Sequence, residues 1–196
     1  MNTRSSLELR QRHTRSETAL DIETEICLMY SGIRPDFPSG VPITVLHIGE
    51  EQTAVASGSS IETAAILTLE IGSRKTAVDH FKHDPPTALE LENAIQTVED
   101  ELARARIMIA PGSTLFTTDA AIHEIALIAG VSDRPNLVLD LDAMERTFDR
   151  LAAVTLGMPA SQEGIPSSAV FVATLLILRE FMHHLRFLSI IVSEAG

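Results

Sequence analysis

The sequence has little of several residue types on which whole classes of protein depend. It holds no tryptophan and a single cysteine, Cys27, among 196 residues, and aromatic side chains make up 4%. One cysteine excludes an internal disulfide framework and a cysteine-rich zinc site, and it fits a reducing compartment, so we expect a cytoplasmic protein. Because apolar residues still make up 45% of the chain, the core is predicted to be aliphatic.

Positive charge is also scarce. Lys and Arg number 15 against 27 Asp and Glu, which gives a formal net charge of -12. The average field repels phosphate backbones and anionic lipid surfaces, so neither nucleic acid nor a membrane is expected as a partner. The same field opposes a polyanionic substrate, and any phosphate site would therefore need local positive donors.

Long apolar runs are missing as well. The strongest one, Ala169 to Leu178, ends at a charged Arg-Glu pair. It is far shorter than the roughly 20 apolar residues that span a bilayer. We therefore predict a buried core helix for this segment.

The first half of the chain predicts an arm, a helix and a meander. Residues 1–17 carry arginines with almost no apolar periodicity and are predicted to form a mobile arm, whereas 18–196 are predicted to form one domain. Apolar positions recur at helical spacing over 18–32. Three short runs then predict antiparallel strands: Ile43–Ile48, Thr53–Ser57 and Thr63–Leu69.

The second half predicts alternating helices and strands. Thr87 and Glu90 have the spacing of a capping box, which predicts a helix over 87–105. The further predicted elements are a strand at Arg106–Ala110, a turn at Gly112–Thr114, helices over Leu115–Ala129, Asp142–Leu156 and Pro166–His184, and a strand at Leu188–Val192. A meander followed by alternating helices and strands is typical of the ribonuclease H-like, actin-like α/β fold, a mixed sheet flanked by helices.

Particular segments resemble a known family. Glu23–Ile33 resembles the Glu-Glu-Ala-Arg-Leu…Gly-Val helix of the exopolyphosphatase and guanosine pentaphosphate phosphohydrolase (Ppx/GppA) family, and His83–Thr87 resembles its Asp-Pro-Pro-Thr helix start. Pro111–Thr114 is similar to its Gly-Gly-Thr turn, and Ile165–Glu194 to its last core helix and strand. The resemblance covers 18–196 and is to the second, C-terminal domain of the family.

The resemblance implies a function and a site. It implies hydrolysis of a terminal phosphoanhydride, in polyphosphate or a phosphorylated guanosine nucleotide, with Mg²⁺ as cofactor. Glu25 matches the family's catalytic glutamate, which orients or deprotonates the attacking water. Gly112, Ser113 and Thr114 are predicted to bind phosphate, because they follow a predicted strand and open a predicted helix whose N–H groups favour anions.

Two departures from the family pattern support another interpretation. The family's Asp-Ile-Gly-Gly-Gly-Ser-Thr turn reads His47–Thr53 here, which puts Glu50 and Glu51 where glycines would approach phosphate. A carboxylate about 4 Å from a phosphate charge costs about 4 kcal/mol at an effective dielectric of 20. Family members also begin with an additional domain, so a second copy or a separate domain is expected to complete the cleft. The alternative function is a non-catalytic regulatory or interaction domain that has lost the phosphatase site.

Other reactive side chains are interpreted as structural. His80, His83 and Asp84 would share a metal ion only on a continuous helix, which the prolines after Asp84 oppose, so no metal site is predicted. Cys27 is predicted to be a small buried hydrophobe, because no paired base is visible beside it. The histidines at 183 and 184 are predicted to lie on the surface at a helix end.

Overall fold

The computed structural model describes residues 22–60 and 64–193, so the predicted N-terminal arm lies outside the described residues. The helices are α1 (helical over 22–33), α2 (Ser73–His80), α3 (Ala88–Ala105), α4 (Ala120–Ile128), α5 (Leu141–Thr155), α6 (Ala160–Glu163) and α7 (Ala169–His184). The strands are β1 (Ile43–Ile48), β2 (Thr53–Gly58), β3 (Ala65–Leu69), β4 (Thr114–Thr117), β5 (Leu137–Asp140) and β6 (Ser189–Val192). A short 3₁₀ helix, Arg34–Asp36, follows α1.

The strands of the described residues form one six-stranded mixed sheet in the order β3-β2-β1-β4-β6-β5. β1, β2 and β3 are antiparallel neighbours, β1, β4 and β6 run parallel, and β5 is antiparallel to β6. This meander with parallel strands beside it confirms the predicted ribonuclease H-like fold. The carboxyl ends of β1, β4 and β6 share one edge of the sheet, here named the C-terminal edge, and their amino ends share the opposite N-terminal edge.

The two faces of the sheet bury two separate clusters. Strand residues alternate between faces, and on β1 Ile43 and Val45 pack in the cluster that contains Ile26 and Tyr30 of α1. Leu46 instead packs in the larger cluster, to which α3, α4, α5 and α7 contribute. α7 is buried along most of its length, as its apolar sequence predicts. Within the described residues, the helices lack the combination of length and apolar character that crossing a bilayer requires.

The capping box at the start of α3 is confirmed. The backbone N–H of Glu90 donates to Thr87 Oγ1 at 3.3 Å, and the backbone N–H of Thr87 donates to Glu90 Oε2 at 2.9 Å. These reciprocal bonds satisfy two donors that a helix start leaves unpaired. α3 ends at Ala105, where the sequence predicts its end.

One predicted strand and the start of one predicted helix near residue 110 are wrong. Arg106–Ala110 is a turn rather than a strand, and Ile107 is 94% exposed, since no neighbouring strand covers it. The strand lies further along the chain, at Thr114–Thr117, and the helix begins at Ala120 rather than at Leu115. Short apolar runs fit a strand or a helix equally well by periodicity, and here pairing with β1 and β6 decides the outcome. The sequence also gives no prediction of β5.

Candidate functional site

Three side chains from three elements meet at the C-terminal edge of the sheet. His47 Nδ1 lies 2.6 Å from Asp119 Oδ1, and His47 Nε2 lies 3.3 Å from Glu25 Oε2. Glu25 comes from α1, His47 from the end of β1, and Asp119 from the link between β4 and α4. We name this group the Glu25–His47–Asp119 cluster.

The alternation of β1 explains why His47 meets Glu25. His47 has the parity of Ile43 and Val45, so it points to the face that α1 covers. It lies one residue before the end of the strand, and the carboxyl end of parallel β4 is therefore next to it. Its side chain is 15% exposed, whereas that of Glu25 is 60% exposed. The cluster thus has a shielded histidine and a carboxylate that solvent reaches.

Asp119 holds β1 and β4 together at this edge. It occupies the position before the first residue of α4, yet its side chain makes no cap bond to that helix. Oδ2 instead accepts a hydrogen bond of 2.7 Å from the backbone N–H of Ile48, while Oδ1 contacts His47. The backbone N–H of Asp119 donates to Thr117 Oγ1 at 3.0 Å. Both carboxylate oxygens are therefore engaged, and His47 has a fixed orientation.

The carboxylates raise the pKa of His47. Burial by itself lowers the pKa, because it disfavours the charged imidazolium. The hydrogen bond from His47 to Asp119 and the charge of that carboxylate act in the opposite direction, and Glu25 adds a smaller effect of the same sign. The carboxylates outweigh burial, so the pKa lies above the ordinary value of 6.5 and the protonated fraction near neutral pH increases.

The turn between β1 and β2 lies against the start of α2. The backbone N–H of Ser73 donates to Gly49 O at 2.9 Å, and those of Arg74 and Lys75 donate to Glu50 O at 2.9 and 3.0 Å. A helix start normally offers such donors to anions. Here carbonyl oxygens occupy them, so α2 contributes no anion-binding donors from these residues.

Glu50 and Glu51 both contact one arginine. Arg74 Nε lies 3.4 Å from Glu50 Oε2, and its Nη2 contacts Glu51 Oε1. The Glu50 side chain is 79% exposed, so water screens its charge strongly. The two glutamates therefore oppose a phosphate at this edge less than two unpaired buried carboxylates would.

The structure does not bring Gly112, Ser113 and Thr114 to Glu25. Gly112 and Ser113 precede β4 and Thr114 is its first residue, so all three stand at the N-terminal edge, and the expectation that they open a helix is wrong. Thr114 pairs with Ile43, four residues before His47, a separation of about 13 Å along a strand. The Ser113 hydroxyl lies 2.8 Å from Thr44 Oγ1, which links β1 to the residues before β4. Phosphate binding by these residues stays a prediction, without support from a helix start.

Sequence reasoning missed two members of the cluster. The sequence places His47 in an altered turn, and it predicts a helix over Leu115–Ala129 that would contain Asp119. The sequence predicts a strand, a turn and a helix in succession near residue 110. The structure has this unit further along the chain, and its turn is Thr118–Asp119. A strand predicted at Thr114–Thr117 would identify Asp119 as a polar residue at the carboxyl end of a strand.

The remaining candidate residues lie elsewhere. Cys27 is exposed, which corrects the prediction of a buried residue, because it lies on the outer side of α1 next to buried Ile26. His83 Nδ1 contacts Glu90 Oε1 at 2.9 Å. In the described part of the chain, Glu99, Glu180 and His184 form a group whose ligand atoms lie within 4.8 Å of one another and could hold a metal ion.

Comparisons with known proteins rest on structure. No protein-family model matches the sequence, and no curated protein matches it. The chain is similar to the PPX-GPPA enzyme of Aquifex aeolicus, with a TM-score of 0.72 and 22% sequence identity, over 89% of this chain and 60% of that one.

Two further structures give the same result. An exopolyphosphatase-like protein matches with a TM-score of 0.67 and 18% identity, over 89% of this chain and 62% of its own. An exopolyphosphatase from Cytophaga hutchinsonii matches with a TM-score of 0.63 and 15% identity, over 85% and 58%. The chain spans about 60% of the length of these proteins. At such identities the likeness concerns fold rather than activity. The chain has the fold of the Ppx/GppA structures, over a length consistent with a single domain of those proteins.

Proposed function

We propose that the C-terminal edge binds the terminal phosphate of a phosphoanhydride, in polyphosphate or a phosphorylated nucleotide such as guanosine pentaphosphate, and promotes its hydrolysis. The observation that carries this proposal is the contact of His47 with Glu25 on one side and Asp119 on the other. The fold shared with the Ppx/GppA structures supports the substrate class.

His47 would supply positive charge to the phosphate. Its raised pKa favours imidazolium, whose Nε2–H can donate to a phosphoryl oxygen in place of Glu25. Phosphoryl transfer depends mainly on positioning and on compensating charge, so a cation at the edge of a chain with net charge -12 is the group that this reaction most needs. Asp119 would act as a positioning residue, because it fixes the ring through Nδ1.

Glu25 would then act on water. Once a phosphoryl oxygen takes its place at His47 Nε2, its carboxylate is free to accept a proton or a hydrogen bond from the attacking water. Its 60% exposure gives water access to it. The reaction breaks the bond between the terminal phosphorus and the bridging oxygen, which leaves with the shortened phosphate chain. The oxygen of water forms the new bond to phosphorus, and Glu25 accepts the proton of water and releases it to solvent.

Magnesium fits this site only through a small set of ligands. Both oxygens of Asp119 are engaged, which leaves Glu25 as the cluster's available carboxylate. Mg²⁺ in phosphate sites commonly takes one or two carboxylates and the substrate's own oxygens. When bound, it would neutralise negative charge on the phosphate chain.

A second subunit or domain would complete the cleft. The chain spans about 60% of the length of the structures that it matches. We propose that a second copy of this chain or a separate domain covers the C-terminal edge and provides the other phosphate donors.

A non-catalytic binding domain is the second candidate. The observation in its favour is the turn of residues 49–52, which carries two glutamates and whose carbonyls occupy the N–H groups at the start of α2. A domain of this kind would bind a partner or a phosphate chain without turnover.

Phosphate release from long-chain polyphosphate and from guanosine pentaphosphate, with Mg²⁺ present, tests the proposal. Glu25→Gln should lower the rate by roughly 100-fold or more, the usual contribution of a general base. Glu23→Gln is the matched control, since Glu23 is an exposed carboxylate on the same helix outside the cluster. A folded wild-type protein that releases no phosphate but still binds these substrates would favour the non-catalytic domain. Equal rates for Glu25→Gln and wild type would remove Glu25 from the mechanism.

A further inference from the structure

A second concave surface lies at the N-terminal edge of the sheet, remote from Glu25. It is a pocket of about 400 Å³, within the size range of small-molecule sites. The turn after α3 and the end of α7 form its walls, with Ile109 and Phe187 among its apolar lining residues. Gly112 and Ser113, two of the residues for which the sequence predicts phosphate binding, also line it.

Two arginines face this pocket. Arg106 and Arg186 are both exposed lining residues, and within the described residues neither forms an ion pair with a carboxylate. The hydrogen bond found for Arg106 is a long one, from Nη2 to the carbonyl oxygen of His184 at 3.4 Å. In a chain with 27 acidic residues, two arginines that line one pocket without carboxylate partners keep most of their donors available to an external anion.

The backbone holds one of these arginines in an uncommon conformation. Arg186 follows the end of α7 with φ of 62°, a left-handed conformation for which glycine is the usual residue. The backbone N–H of Phe187 donates to Met182 O at 2.9 Å and closes the helix end. An arginine at this position costs stability relative to glycine, and it places Arg186 among the residues that line the pocket.

The acidic residues next to the pocket are already paired. His184, another lining residue, places Nε2 2.9 Å from Glu99 Oε1 and 3.1 Å from Glu180 Oε2. Glu180 also contacts Arg179 Nη1 at 2.5 Å. These contacts engage both carboxylates, neither of which lines the pocket, whereas Arg106 and Arg186 do.

We propose that this pocket binds a small organic anion, a phosphate or carboxylate group attached to an apolar body. The arginines would hold the oxyanion, and Ile109 and Phe187 would contact the apolar part. This site is separate from the Glu25–His47–Asp119 cluster, because the two lie at opposite ends of parallel β1 and β4. Binding here therefore does not depend on the proposed hydrolysis.

Isothermal titration calorimetry of the full chain with phenyl phosphate, benzoate, inorganic phosphate and phenol tests this proposal. Phenyl phosphate or benzoate should bind, phenol should not, and inorganic phosphate should bind more weakly. Arg106→Gln and Arg186→Gln should each weaken binding about tenfold, the equivalent of one charge-assisted hydrogen bond. The relative affinities of phenyl phosphate and benzoate identify the preferred oxyanion.

Two control variants make the outcome specific. Arg134→Gln removes an exposed arginine outside the pocket and Glu25→Gln alters the other edge, and both should leave the affinity unchanged. The proposal is overturned if neither aromatic anion binds the folded wild-type chain at 10 mM, on the order of the weakest specific affinities. It is equally overturned if Arg134→Gln weakens binding as much as the pocket substitutions do, because the arginines would then attract anions only through general charge.

Discussion

At the residue scale, the environment of His47 follows from the alternation of side chains along β1 and from its largely buried neighbour Asp119. The ring lies on the α1 face of β1, and Asp119 fixes it through Nδ1. Glu25 could be assigned from the sequence because a helix motif surrounds it. His47 lies in the altered turn and Asp119 in no motif, and their proximity depends on the pairing of β1 with β4 across 72 positions of the chain.

The raised pKa of His47 predicts a pH dependence of stability. Because the folded state binds the proton more tightly than the unfolded chain, protonated His47 contributes stability that is fully present below about pH 6.5, the ordinary histidine pKa. This contribution is lost as the pH rises through the higher pKa of the folded state. Raising the pH from 6 to 8.5 should therefore lower the free energy of unfolding less in His47→Gln than in wild type.

Urea unfolding at a series of pH values measures this difference. His123→Gln is the control, since His123 is a more exposed histidine that pairs with exposed Asp133. Parallel stability profiles for wild type and His47→Gln would show that protonation of His47 does not cause the pH dependence.

Gly72 predicts a second residue-scale effect. A Cβ at Gly72 would lie 2.4 Å from the carbonyl carbon of Glu51 and 2.5 Å from Glu50 O, and both are backbone atoms that move only with the turn. Gly72→Ala should therefore cost about 1–3 kcal/mol in free energy of unfolding, the usual range for overpacking. Gly32→Ala is the matched control, because nothing lies within 4 Å of its Cβ position and the residue is helical. A neutral Gly72→Ala in denaturant unfolding would show that the turn is not packed against α2.

At the element scale, the sequence predicts the elements that depend on neighbouring residues but not those that depend on strand pairing. The capping box determines where α3 begins, and three β-branched runs predict the meander, since both depend on neighbours in sequence. β4 and β5 are four residues each and acquire their conformation from partners far along the chain. Such short apolar runs contain too few residues for their hydrophobic periodicity to distinguish a strand from a helix.

The start of α3 gives a prediction for acid conditions. Hydrogen bonds from the Thr87 backbone and from His83 lower the pKa of Glu90 from 4.5 to about 2. A lowered pKa gives stability that is present above pH 4.5 and is lost as the pH falls toward 2. Glu90→Gln should therefore show a smaller decrease in thermal stability than wild type between pH 5 and 2. Glu92→Gln, at an exposed position of the same helix, is the control and should behave as wild type.

The threonine of the same box is testable at neutral pH. Thr87→Ala removes the acceptor for the Glu90 backbone N–H and should cost about 1 kcal/mol in free energy of unfolding. Thr87→Ser keeps a hydroxyl acceptor and should retain most of the stability. Chemical unfolding compares the two variants, and equal losses would mean that the hydroxyl does not cap α3.

At the scale of the whole molecule, the parallel strands separate the two regions for which we propose anion binding. The C-terminal edge carries the Glu25–His47–Asp119 cluster, and the N-terminal edge carries the arginine-lined pocket. The sequence suggested phosphate contacts at Gly112–Thr114 and catalysis at Glu25 as parts of one site. Because β4 begins at Thr114, Gly112–Thr114 and Glu25 lie at opposite edges, and sequence spacing could not reveal this without the position of β4.

The central claim is that a phosphate chain binds at the C-terminal edge through His47. Histidine side-chain ¹H–¹⁵N NMR during titration with tripolyphosphate at pH 7 tests this claim most directly. We expect the Nε2 resonance of His47 to shift saturably, and Asp119→Asn to weaken the response because the ring loses its orientation and part of its charge. A His47 resonance that stays unchanged in a folded protein saturated with tripolyphosphate would contradict the account, since the phosphate chain would then bind elsewhere.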